Sequence, residues 1–367
     1  MAIKSRIGVG IIGANPEQSW AKNAHIPALR ALADYELRAL STSRKESAQE
    51  ASRVFGVPLA FDNHQALVEH PDVDLVVVSV KVPQHRELVE AAVNAGKMVY
   101  CEWPLGRDLA EAEHLAALAR SKGVRTIVGL QARASPAVAR ARDLIAGGYV
   151  GEVLSTNLVG TGWIGGGVAT QSSRYLLDVN NGATLLSIPF GHTVDALCWS
   201  LGEFSAVSAT LATRRPQVKL VDTGETVPAT APDQVAVTGV LRGGAVASLH
   251  YRGGTSRQTN LLWEINGTEG DLVISGDAGN LQMTEVKLRG GRGEDKALSA
   301  LEIPERYHPA PQAPAGSPYN VAQAYAQFAA DLRQGTSVTP TFEDAVIRHR
   351  MLDAIERAAK TGERQTP

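Results

Sequence analysis

Cysteine is scarce in this chain, and neither sign of charge is in excess. Two cysteines in 367 residues, Cys101 and Cys198, stand far apart and within apolar segments. That disfavours a disulfide framework and predicts buried free thiols in a reducing compartment, which points to the cytoplasm. Lysine and arginine number 36 against 38 aspartate and glutamate, a net charge of −2. Such a balance leaves no electrostatic footprint for nucleic acid or an anionic membrane surface. No apolar run approaches a membrane span, and the N-terminus lacks a cationic segment followed by a long apolar one. His64, His70 and His85 show no ligand spacing with acidic or cysteine partners, so no metal is expected. What remains is an ordinary globular composition, 44% apolar and 20% charged, long enough for two domains.

Residues 6–30, RIGVGIIGANPEQSWAKNAHIPALR, organise the rest. Ile7, Val9, Ile11 and Ile12 form the short apolar run of a buried parallel strand, Gly13 ends it, and a helical pattern follows through Ala24, Pro27, Ala28 and Leu32. A strand that feeds directly into a helix aims the helix's first N–H groups at open space, a ready site for a pyrophosphate. The glycine fingerprint is only partly kept: Gly13 stands first, but Asn15 takes the second place and Pro16 to Ser19 lengthen the loop. Asn15 is expected to keep the turn by adopting a left-handed backbone. An ordinary strand-to-helix turn without nucleotide fits this stretch equally well.

The second strand, 35–40, ends at Ser41-Thr42-Ser43-Arg44-Lys45 with no acidic residue to bond the ribose hydroxyls of NAD. Ser41, Ser43 and Arg44 suit a 2′-phosphate, which favours NADP over NAD; a solvated basic helix start is the other reading. Alternating helices and strands continue: helix 46–55, a strand near 59–61, a helix near 63–70, and the VVVSV run of 74–80. The edge of that last strand, from Val80 and Lys81 to His85, is where ligands collect in a doubly wound sheet. Helix 85–95, strand 98–101 closing on Glu102-Trp103-Pro104, helix 108–122 and strand 126–130 complete a parallel sheet. From Arg133 the texture changes. Helix 135–146 precedes segments at 152–159, 206–213, 234–241, 245–252, 259–265 and 271–274, many alternating polar with apolar residues, interrupted by a helix over 192–201. Residues 287–318 read as a long surface loop, and helices over 318–334 and 342–360 end the chain.

The opening strand-turn-helix, VVVSV followed by His85, AGKMVYCEWPLG, LIAGGYVGEV and INGTEGDLVISGDAG together resemble the Gfo/Idh/MocA family of NAD(P)-dependent oxidoreductases. GLQARASP, FGHTVDALCW and the loop with Asn15 and Trp20 resemble most the branch containing the fungal galactose-pathway repressor, a regulatory switch. The resemblance implies an α/β fold: an N-terminal Rossmann doubly wound parallel sheet plus a C-terminal α/β domain with a large, mostly antiparallel open sheet. The expected boundaries are 1–128 for the dinucleotide-binding domain and 129–340 for a substrate and oligomerisation domain. The C-terminal helix, 341–367, is expected to pack back on the first domain. Gly13, Asn15, Trp20, Ser41, Ser43 and Arg44 fall to the cofactor, as do Val80, His85, Glu102, Trp103 and Gln131.

The resemblance breaks where chemistry matters. The family's Glu-Lys-Pro turn reads here Glu102-Trp103-Pro104, and tryptophan can stack but carries no cation. Ser187 stands where the family's catalytic aspartate would be; His192 matches its histidine, and Asp195 a later acidic position. His192 is the expected acid/base, with Lys81 as a substitute cation; an inert histidine and a solvated lysine are the alternatives. Trp163, Arg174, Tyr175, Asp178 and Asn181 combine a flat apolar platform with hydrogen-bonding groups, which suits a sugar or polyol, or else a subunit contact. The expected function is hydride transfer to or from such a small molecule, against a dinucleotide-binding regulator without turnover. A homodimer or tetramer is expected from an exposed sheet face.

Overall fold

A computed structural model describes residues 6–367; the first five residues of the expected N-terminal domain lie outside the described residues. Strands β1 (Ile7–Ile12), β2 (Tyr35–Ser41), β3 (Leu59–Phe61), β4 (Leu75–Val78), β5 (Met98–Glu102) and β6 (Thr126–Gly129) alternate with helices. The helices are α1 (Ile26–Arg30), α2 (Lys45–Phe55), α3 (His64–Glu69), α4 (His85–Asn94) and α5 (Leu109–Ser121). A wide, π-type turn over Ala21–His25 leads into α1. The six strands are parallel in the order β3-β2-β1-β4-β5-β6, the Rossmann arrangement, with its switch point between β1 and β4. All four residues of β4 are buried, because helices cover both faces; that is why its sequence runs Leu-Val-Val-Val rather than alternating.

The second unit begins with α6 (Pro136–Ala146) and β7 (Val153–Gly162), then β8 (Val168–Ala169), α7 (Gly191–Leu201), β9 (Phe204–Ala212), β10 (Gln217–Leu220) and β11 (Thr226–Pro228). It continues with β12 (Gln234–Leu241), β13 (Val246–Gly253), β14 (Leu261–Gly267), β15 (Gly270–Gly276), β16 (Val286–Arg292) and β17 (Ser299–Ala300). Eight strands form one open sheet, β17-β16-β15-β14-β7-β13-β12-β9, antiparallel except where β7 and β13 run together. A small sheet, β11-β10-β8, was not visible in the sequence. Nor was β16, all but the first residue of which falls in the expected loop of 287–318. Its Val286 and Leu288 face inward while Lys287 and Arg289 face out, and two glycines dilute the pattern. Gly290 is there for space: a Cβ would come within 2.8 Å of Leu301 and 2.9 Å of Leu272.

Helices α8 (Ser317–Gln334) and α9 (Phe342–Thr361) end the chain. Among the described residues no helix is long and apolar enough to cross a membrane. The compact units divide differently from the expected boundaries. The first comprises residues up to 131 together with 308–347, the second 132–307 together with 348–367. The reason is packing: Val321, Ala322, Tyr325 and Phe328 of α8 share one core with Val9, Ile11, Leu40 and Tyr100. The helix that joins the Rossmann core is therefore α8, and α9 is split between the units.

Asp331, near the end of α8, fastens the connection to α9. Its Oδ2 accepts from the Val338 and Thr339 N–H groups at 3.0 and 2.8 Å and from Thr339 Oγ1 at 2.6 Å; Oδ1 accepts from Thr336 Oγ1 at 2.7 Å. Just beyond, Pro340 O accepts from Val128 N of β6 at 2.9 Å, satisfying the edge of the parallel sheet. Burial alone would raise the Asp331 carboxyl, but these donors outweigh it and hold the group below the usual carboxylate range. A lowered folded-state pKa adds stability above about pH 4 that is lost as pH falls through the folded value. Asp331→Ala should lower unfolding free energy by about 2–3 kcal/mol at neutral pH. Denaturant unfolding should show that difference shrinking in acid.

Candidate functional site

The carboxyl edge of the parallel sheet is built around one close approach. Gly13 has φ +99°, and a Cβ there would lie 2.3 Å from the Ser79 carbonyl oxygen, so no side chain fits between β1 and the end of β4. Its N–H still continues the ladder to Ser41 O at 3.0 Å. Asn15 does not adopt the left-handed backbone expected of it; among the described residues every positive φ belongs to glycine. Instead its Oδ1 accepts from the Glu17 N–H at 2.8 Å, and its carbonyl from Ser19 Oγ at 2.8 Å. The longer loop is thus held by an Asx turn, not by a strained residue. Trp20 Nε1, Ser79 Oγ and Gln131 Oε1 are buried polar atoms without a hydrogen-bond partner, and all three follow carboxyl ends of strands in this sheet. Buried polar atoms are ordinarily bonded, so orphans gathered along this edge are the mark of a ligand site.

Glu102, the last residue of β5, sits in a built pocket of polar groups with its side chain 13% exposed. Gln131 Nε2 donates to Oε1 at 2.8 Å and Oε2 at 3.0 Å. His25 Nε2 lies 2.9 Å from Oε1, within ion-pair reach although not aligned for a hydrogen bond. His25 was not singled out from the sequence. The signal was there: it falls on the apolar stripe of Ala21, Ala24 and Ala28, all fully buried. Trp103 is almost wholly buried beside Glu102 in the chain.

His85 lies elsewhere than expected of a cofactor contact. Its Nδ1 is 2.9 Å from Pro104 O and its Nε2 3.1 Å from Val80 O. Burial pushes its pKa down despite those carbonyls, and both ring nitrogens face backbone. A neutral ring has one N–H and donates to only one of these carbonyls, so His85 is held between the turn after β4 and the Trp103-Pro104 turn by a single hydrogen bond. Val80 contributes that carbonyl, and Lys81 is exposed at the end of β4. Ser41 is buried, whereas Ser43, Arg44 and Lys45 are exposed at the start of α2. Thr42 and Ser47 hydroxyls both donate to Arg44 O, at 3.0 and 2.9 Å, fixing the turn that presents these side chains.

In the second unit, His192 is the second residue of α7 and 3% exposed. Ser187 accepts from Thr184 N at 2.8 Å, a local turn contact. Asp195, one turn after His192, is the anchor. Arg133 grips it with both arms, Nε to Oδ2 and Nη2 to Oδ1, each at 2.8 Å. Arg348 Nε adds a contact to Oδ1 at 3.2 Å while its other nitrogens hold Glu203. Burial raises the Asp195 pKa, yet the two guanidinium groups win and keep it below the usual range. Nearby Cys198 is buried and free, its thiol pushed up to about 12 by burial. The expected carbohydrate cluster is only partly assembled. Asn181 Nδ2 donates to Tyr175 O at 2.7 Å, and Asp178 accepts from Asn180 N at 3.0 Å, so these residues shape their own loop. Arg174 is exposed and lies 3.6 Å from Glu225, and Trp163 stands 53% exposed.

Comparison with known proteins sharpens this picture. The model of the Gfo/Idh/MocA oxidoreductase family, an NAD-binding Rossmann fold, matches residues 7–130, and that of the Gal80p C-terminal domain matches 136–276. The dehydrogenase aclE of Aspergillus oryzae is 33% identical over 98% of this chain and 98% of its own. The chain belongs to the Gfo/Idh/MocA oxidoreductase family. The galactose/lactose metabolism regulatory protein GAL80 of Saccharomyces cerevisiae is 29% identical, over 97% of this chain and 93% of its own. Among solved structures, a super-repressor mutant of Gal80p from the same yeast has TM-score 0.88 at 27% identity, with 98% of both chains covered. Levoglucosan dehydrogenase in complex with NADH and levoglucosan has TM-score 0.86 at 25% identity, covering 99% of this chain and 100% of that one.

Within the family frame, the Arg133–Asp195–Arg348 clamp is what holds α7, and so His192, in place. Sequence reading missed it because its members are 62 and 153 residues apart. Asp195→Asn takes the carboxylate from Arg133 and leaves Arg348 with Glu203 alone, and should destabilise the protein by about 3–5 kcal/mol. Thermal melting checks the direction; an unchanged midpoint would show the clamp to be ornamental.

Proposed function

We propose that this protein is an NAD(P)-dependent oxidoreductase that transfers a hydride to or from a sugar, polyol or related derivative. Membership of the oxidoreductase family supports the reaction class, and likeness to a sugar-named dehydrogenase supports the substrate class. The observation that carries the reading is His192, a buried imidazole at the start of a clamped helix, which the sequence resemblance matches to the family's histidine. When bound, the nicotinamide supplies the hydride acceptor or donor. In the oxidative direction the substrate loses its C–H hydrogen as hydride and its O–H proton to His192; the reductive direction returns that proton. Gly13, Trp20, Glu102 and Gln131 are the residues that would hold the dinucleotide. Lys81 is the alternative cation, and Trp163, Arg174, Tyr175 and Asp178 are proposed to contact substrate. Removing a positioned acid/base lowers rates by about 100- to 10,000-fold. His192→Ala should therefore abolish most turnover found in a screen of sugars and polyols while leaving dinucleotide affinity unchanged. Full activity in that variant would move the proton path to Lys81.

NADP is the favoured cofactor. The support is the run from Ser41 to Lys45, which lacks a carboxylate and presents Arg44 and Lys45 to solvent at the start of α2. Arg44→Ala should weaken NADP binding by about 1.5–3 kcal/mol, the worth of a charge-assisted contact, and NAD binding far less. Calorimetry on both cofactors tests this, and equal weakening defeats the assignment. A cytoplasmic location is proposed from the buried free thiols, and a homo-oligomer from the uncovered sheet face. Asn157 and Val159 on β7 lie beside Ser248 and His250 on β13 there, all exposed.

A second reading, a dinucleotide-binding regulator without turnover, is favoured by two substitutions. Trp103 replaces the family lysine, and Ser187 replaces the aspartate and is engaged with Thr184. Failure of every substrate, together with a cofactor-dependent change in association with another protein, would select it.

A further inference from the structure

The buried polar chain behind Glu102 carries an inference beyond the function proposed above, and it rests on the dinucleotide-binding part of that reading. His25 is fully buried, with its Nδ1 2.8 Å from Tyr325 Oη and its Nε2 2.9 Å from Glu102 Oε1. Tyr325 is itself fixed: its carbonyl accepts from Tyr35 Oη at 2.7 Å, and its ring packs against those of Tyr35 and Tyr100. The Tyr100 ring meets the imidazole edge-on, with centroids 5.1 Å apart.

This arrangement selects one tautomer. A carboxylate only accepts, so charge complementarity at 2.9 Å favours a proton on the nitrogen facing it, although the pair is not aligned as a hydrogen bond. Nδ1 then accepts from the Tyr325 hydroxyl. Glu102 Oε1 is shared by His25 and the nearer Gln131 contact, while Oε2 has only the 3.0 Å contact with Gln131. Oε1 is therefore approached by both Gln131 and His25, and Oε2 retains accepting capacity for a ligand donor. We propose that His25, fixed by Tyr325, is a positioning residue that locks Glu102 in one rotamer and presents Oε2 to a donor on the bound dinucleotide. Through Tyr325, helix α8 thus helps to set the cofactor site of its own unit.

The test uses the full chain, with NAD and NADP as probes. Nitrogen-15 NMR of the histidines should show His25 in the Nε2–H form at neutral pH. His25→Leu removes the donor behind Glu102 and should weaken dinucleotide binding about tenfold or more by calorimetry. His25→Gln, whose amide restores a donor, should recover most of that loss, and Tyr325→Phe should show an intermediate loss. The discriminating result is the pair: in a Glu102→Gln background, His25→Leu should have little further effect on affinity, because its action runs through the carboxylate. An Nδ1–H form, a folded His25→Leu with wild-type affinity, or additive effects of the two substitutions would each overturn the proposal. If His25→Leu fails to fold, the wild-type tautomer and the His25→Gln affinity decide. A wild-type chain that binds neither dinucleotide would instead overturn the cofactor reading, and the positioning role with it.

Discussion

The contact on which the first unit turns is a backbone meeting a backbone. At Gly13 the chain passes so close to the Ser79 carbonyl that the absence of a Cβ is obligatory, and the positive φ there redirects it away from β1. That redirection decides where the lengthened loop travels and therefore where Trp20 and the turn bearing His25 arrive. A side chain at this position would press on the Ser79 carbonyl and force the ends of β1 and β4 apart. The partial fingerprint is thus less degraded than its letters suggest. The one glycine demanded by packing is kept, and the place of the second is taken by a side chain that builds its own turn.

Two carboxylates show how the same group is put to opposite uses. Asp195 is sealed between two arginines, and both of its oxygens are engaged in holding a helix. Desolvation on this scale is tolerated only because the guanidinium fork matches the carboxylate plane. Glu102 is restrained by an amide and an imidazole and stays partly open at a strand end. The first arrangement is mechanical, the second leaves capacity for a visitor.

Much of the fold was legible because it follows from burial on two faces. The Leu75–Val78 run admits no reading other than an interior strand, and Asp108 before α5 announces its helix by capping the Glu111 N–H. What escaped was either diluted or distant. The strand at 286–292 hides behind two glycines, of which Gly290 is set by close packing, and the small β8-β10-β11 sheet is built from strands of two to four residues. At the site, the sequence located the strand ends but not the interior partners. His85 carries the right residue type at the right edge and is buried between two carbonyls, a fate that no one-dimensional pattern reveals. His25 has its meaning only through Tyr325, 300 residues away.

The division of the chain into interrupted units has a consequence for how the protein comes into being. Tyr325 and Phe328 occupy the Rossmann core, yet a ribosome delivers them only after residues 132–307 of the second unit have been made. The second unit has a similar debt, since β7 pairs in parallel with β13 across an interval from Ser155 to Val246. Both cores close through contacts remote in sequence, which slows folding because a long loop's entropy is lost before those contacts reward it. During synthesis the nascent first unit has an open flank where α8 will dock, and release of the finished chain, rather than emergence of the N-terminal strands, completes its core.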